Sequence, residues 1–72
     1  MTNPKGFGRA QPLRNFVCTW RANDGNYSVG VVEAFGLRDA VDAAFKHGQT
    51  NGLLLTRAVD PVSKETVVLA ES

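Results

Sequence analysis

The sequence predicts an α+β domain of order ββαββ: one four-stranded antiparallel sheet with a single helix packed on one face, and an extended N-terminal arm. Three observations predict it. Asp24-Gly25 separates two alternating, strand-like segments, a strong local signal for a β-hairpin. Leu37, Ala40, Val41, Ala44 and Phe45 recur at helical spacing and form one apolar stripe. Asp60-Pro61 opens a polar turn between two further apolar runs, with Pro61 pre-setting φ. The 72 residues divide into an arm, 1–13, and a single domain, 14–72.

Within the arm, Pro4, Gly6, Gly8 and Pro12 interrupt any regular period, and Phe7 and Leu13 are its anchors onto the body. The first strand covers Arg14–Ala22 and the second Tyr27–Phe35. A two-residue turn at Asp24-Gly25 sets their register: Ala22 faces Tyr27, Trp20 faces Val29 and Cys18 faces Val31. That row is apolar throughout and is assigned to the core. The other row holds Val17, Thr19, Arg21, Ser28, Gly30, Val32 and Ala34 and faces outward. Glu33 then falls inward opposite Phe16, where a bulge, the sheet margin or a salt bridge must accommodate it.

The helix is expected over Leu37–Gly48. Gly36 serves as N-cap, Asp39 sits in the first turn, Lys46 and His47 lie in the last, and Gly48 is a left-handed cap. Gln49–Gly52 is a loop, Gly52–Val59 the third strand and Glu65–Ala70 the fourth. The third strand is placed beside the first, with a right-handed crossover. The second hairpin has two possible outward rows, Leu54 with Val68, or Leu53, Leu55, Val67 and Leu69.

Composition narrows the function. Cys18 is the single cysteine and His47 the single histidine, so neither a disulfide within the chain nor a Cys/His zinc site can form. Cys18 reads as a small buried hydrophobe, and Asp39 and Asp42 as a solvated helix face. No nucleophile–base pair, phosphate loop, cofactor motif or small-molecule site is evident. No apolar run reaches the length of a membrane span and no secretory signal is read, so a cytoplasmic protein is expected.

Charge is uneven. Residues 1–21 carry Lys5, Arg9, Arg14 and Arg21 and no acid, whereas the rest carries four basic and seven acidic side chains. With Gly6-Phe7-Gly8-Arg9, those four cations make a nucleic-acid-binding arm the alternative reading. The leading expectation comes from apolar area. One helix covers one side of a sheet, and the outward row is greasier than a solvated face. The N-terminal arm, a second copy in a homodimer, or a different protein must cover it, and Val17, Thr19, Val32, Phe7 and Leu13 are the expected contact residues. In size and layout the chain resembles small inhibitors encoded by phages and mobile elements, anti-CRISPR proteins among them. That resemblance implies a non-enzymatic inhibitor or accessory factor and assigns no role to any residue.

Overall fold

In the computed structural model, which describes residues 12–69, the chain runs β1 (Arg14–Ala22), β2 (Tyr27–Ala34), α1 (Leu37–Asn51), β3 (Leu53–Val59) and β4 (Thr66–Val68). The strands form one antiparallel sheet in the order β2-β1-β3-β4, with α1 packed on one face. The α+β fold and the placing of the third strand beside the first are as expected. Residues 1–11 of the expected arm, Phe7 among them, lie outside the described residues.

The first hairpin has a different register from the expected one. Gly25 takes φ 90°, and Lys64 is the single described non-glycine residue with positive φ, so Asp24 stays right-handed. The Gly25 amide donates to the Ala22 carbonyl (3.0 Å) and the Ala22 amide donates to the Asn26 carbonyl (2.8 Å). This is a three-residue loop, Asn23-Asp24-Gly25, with a left-handed glycine at its end. The Asp24 carboxylate holds it, accepting from the Asn26 amide and side chain at 3.0 Å each. A two-residue turn would force Asp24 to positive φ as well, at about 1–2 kcal/mol.

One added turn residue shifts every pair by one and turns β2 over. Phe16 pairs with Val32, Cys18 with Gly30 and Trp20 with Ser28, while Val17 pairs with Val31 and Thr19 with Val29. Val32, Ala34 and Gly30 therefore face the helix, not solvent, and Val29, Val31 and Glu33 face outward. Energy explains the choice. Apolar burial alone would favour the other register, since the observed one gives up Tyr27, Val29 and Val31 on the helix side for Ser28, Gly30, Val32 and Ala34; the charge of Glu33 decides against it. Burying Glu33 against Phe16 without a partner would cost several kcal/mol.

The core follows from this register. Phe16, Cys18, Trp20, Leu55 and Ala58 from the sheet meet Ala40 and Ala44 from α1, all buried, with Val32, Leu37, Val41 and Leu53 packed around them. Small residues on the inward stripe of α1 let the helix sit close to the bulky Trp20 and Phe16.

Helix α1 extends one turn beyond expectation. Its left-handed cap is Gly52 (φ 70°), whose amide donates to the Gly48 carbonyl. Gly48 is instead a buried mid-helix residue: a Cβ there would stand 2.6 Å from the Leu53 carbonyl oxygen and 3.0 Å from the Trp20 ring. Gly36 is the N-cap through its backbone, and Lys46 and His47 lie a turn short of the end.

No bulge interrupts the β1–β2 pairing at Glu33, which the outward position of that residue makes unnecessary, and one occurs between β1 and β3. Trp20 pairs with Leu55 and Thr19 with Arg57, leaving Thr56 as the extra residue. The Thr56 hydroxyl donates to the Thr19 carbonyl at 3.0 Å and its carbonyl accepts from the Leu69 amide at 2.9 Å. The bulge changes the parity of β3, so Leu53, Leu55 and Ala58 face α1 while Leu54, Arg57 and Val59 face away. Val59 pairs with Thr66 and Arg57 with Val68, which selects the Leu54–Val68 alternative for the outward row. The fourth strand is shorter than expected: the Asp60–Glu65 turn takes Glu65 from its start, the ladder ends at Val68, and Ala70 lies outside the described residues.

Candidate protein-binding surface

The sheet face opposite α1 carries three cross-strand rows. Val31, Val17, Val59 and Thr66 form one across all four strands, and Val29, Thr19, Arg57 and Val68 form the next. Tyr27, Arg21 and Leu54 make a third near the hairpin tip. Val29 is 69% and Val31 65% exposed, about two-thirds of each residue's surface. No element among the described residues lies over this face, because α1 occupies the other side. Glu33 and Asn15 close the face at its far end. The apolar surplus expected from the sequence is therefore present, although β2 contributes Tyr27, Val29 and Val31 to it in place of Val32.

Among the described residues, the two margins of the sheet differ. Strand β4 is three residues long. Strand β2 is eight residues long, has no proline, lysine or arginine, and pairs with β1 without a bulge. Counting from the Ala22–Asn26 closing pair, Trp20–Ser28, Cys18–Gly30 and Phe16–Val32 exchange the ladder bonds. The backbone groups of Val29, Val31 and Glu33 then point away from β1, at the edge.

Beneath that edge, on the helix side, lies an open groove of about 560 Å³ bounded by Trp20, Ser28, Gly30, Ala43 and His47. It exists because Ser28 and Gly30 are small and leave space between β2 and α1. The His47 ring tilts against the Trp20 ring with centroids 5.2 Å apart. His47 thus covers an aromatic wall and is not aimed at a nucleophile. Cys18, the one thiol, is fully buried, and desolvation raises its pKa above the ordinary value.

The structure separates the residues that the sequence suggested for function. Val17 and Thr19 lie side by side on the outward face, half-buried. Val32 lies on the opposite face, packed against the core, which corrects its expected outward position. Leu13 is exposed at the start of β1. Of the four cations, Lys5 and Arg9 lie outside the described residues. Arg14 is engaged: its guanidinium is 3.2 Å from the Asp60 carboxylate and stacks 5.0 Å from the Phe16 ring centroid. Arg14 and Arg21 stand at opposite ends of β1, about 23 Å apart along the strand. Asp39 and Asp42 are exposed on α1, and no cluster of three or more metal-ligating side chains occurs among the described residues. No helix among them is long and apolar enough to cross a membrane.

Sequence reasoning missed Tyr27, Val29, Val31 and Val59 on the outward surface, whereas Val68 belonged to one of its two alternatives for the second hairpin. A signal for β2 was available: a register that buries a lone glutamate opposite Phe16 is wrong by one residue. Comparison with protein-family models, curated proteins and solved structures gives no match for this chain.

Proposed function

We propose that the chain is a small non-enzymatic binding module that acts by protein–protein contact through the outward face of its sheet. The observation that carries this reading is the Val31–Val17–Val59 row, flanked by Val29 and Val68, on a face that no described element covers. Contiguous apolar surface of this kind is uncommon on a sheet exposed to water and marks contact sites. An inhibitor or accessory factor, working by occupying a partner's surface, fits a domain of this size. The single buried thiol suits a reducing compartment, and a cytoplasmic setting is part of the proposal.

The test pairs the native chain with a Val17→Lys, Val59→Lys double variant. Both substitutions place charge on the outward face and leave the helix-side core alone. The variant should fold with a native circular dichroism spectrum and lose binding partners that the native chain retains from a lysate of its source cells. An unchanged set of partners would remove the outward face from consideration.

A further inference from the structure

We propose that a second copy of this chain pairs antiparallel with strand β2, about a twofold axis through Gly30, joining two four-stranded sheets into one of eight strands. Three features of the margin carry this. The first is contrast: β4 is kept short, whereas β2 presents eight residues with none of the proline, lysine or bulge that normally blocks an edge. The second is parity. Backbone groups at Val29, Val31 and Glu33 point outward, so an antiparallel copy must pair odd positions with odd positions. The register centred on Gly30 does so and uses the whole strand: Val29 meets Val31 of the second copy, and Tyr27 meets Glu33.

The third is charge. On the outward face Tyr27 sits beside Arg21, and Glu33 sits beside Asn15 at the other end of β2. Reversing the second copy puts its Glu33 on the row of Tyr27 and Arg21, two strand spacings, or about 10 Å, from Arg21. An arginine and a glutamate side chain can meet across that span above the tyrosine ring, once on each side of the axis. A register shifted toward the hairpin tip or toward Ala34 loses both of these matches, since the twofold axis relates them. Between them, Val29 and Val31 of both copies form a four-valine cluster bordered by the two Val17 side chains. The inference goes beyond the contact reading above, because it uses the strand edge and leaves the outward face open. It doubles that face into a twofold-symmetric platform.

Light scattering on the full chain at high micromolar concentration tests it. The native chain should show twice the chain mass, with intermolecular nuclear Overhauser contacts between Val29 and Val31 in a mixed-label sample. Val31→Pro removes an outward amide without touching the β1 ladder, and the preceding Gly30 tolerates proline after it. It should return the monomer. Val29→Lys, which keeps every backbone group, should do the same if the proline variant fails to fold. Val59→Lys, on the outward face two strands from the β2 edge, should remain dimeric. A monomeric native chain overturns the pairing, as does a monomer whose Val29 and Val31 amides exchange slowly because residues 1–13 occupy the edge. A dimer lost in Val59→Lys but kept in Val31→Pro also overturns it, in favour of packing between outward faces. None of these outcomes bears on whether a partner is lost in the capture experiment, so the two proposals fail separately.

Discussion

The Trp20 indole lies against Gly48 so closely that a methyl group on that glycine would stand 3.0 Å from Trp20 Cδ1 and 2.6 Å from the Leu53 carbonyl oxygen. The indole N–H donates to the Ala44 carbonyl at 2.9 Å. The ring's other end meets Gly30, where a Cβ would lie 3.2 Å from Cζ3. Trp20 thus spans the sheet–helix interface between two residues without side chains.

Gly48→Ala should therefore destabilise the fold, although alanine favours a helix by about 1 kcal/mol over glycine. The clash at 2.6 Å involves backbone, so α1 must move away from β3, and overpacking of this kind costs about 1–3 kcal/mol. Chemical denaturation should show a lower midpoint for Gly48→Ala. A midpoint raised by the helix-propensity gain would mean that α1 and Trp20 are not in this contact.

The register of the first hairpin can be tested by charge. Val32→Asp should cost several kcal/mol, because it sets a carboxylate against the buried Phe16–Ala34–Ala40 cluster. Glu33→Gln should stay within about 0.5 kcal/mol, as for an exposed position. Reversed sensitivities would restore the two-residue turn.

Asp60 links the second hairpin to β1. Burial alone would raise its pKa, but the Val62 and Ser63 amides, the Ser63 side chain and the Arg14 guanidinium outweigh that effect and hold it below the usual 3.8. The folded state therefore binds this proton more weakly than the unfolded state. Its contribution is complete above the unfolded pKa and is lost as pH falls through the lower folded value. Thermal unfolding should show a melting temperature that declines on acidification below about pH 4, in the range of an unperturbed aspartate. Asp60→Asn should be less stable at neutral pH and flatter in that range. An identical acid slope in the variant would assign the loss to other carboxylates.

Nucleic-acid binding gives the opposite outcome to protein contact in a mobility-shift assay. On the protein-contact reading, neither duplex nor single-stranded nucleic acid shifts the chain at physiological salt. A shift that weakens steeply with salt and disappears in a Lys5→Ala, Arg9→Ala variant would put the alternative first. Arg14→Ala should in either case act on stability, since its guanidinium is held by Asp60.

The elements were legible in the sequence because each is written in local terms. The apolar stripe from Leu37 to Phe45 marks the helix, glycine and aspartate mark the hairpins, and the alternation through Phe16, Cys18 and Trp20 marks the buried row of β1. Tertiary structure decided which residues face which way. Asp24-Gly25 is compatible with a two- or three-residue loop, and the choice depends on where Glu33, Val32 and Gly30 come to rest against Phe16 and Trp20, partners that are distant in sequence. Leu53, Leu54 and Leu55 are alike in apolar character, so Thr56, bulging against Thr19, sets which of them reach the core. Gly48 looks like a helix end by composition and is an interior residue because Trp20, twenty-eight positions earlier, needs the space. Periodicity is a property of neighbouring residues. Register and orientation are settled by burial and charge summed over the whole fold.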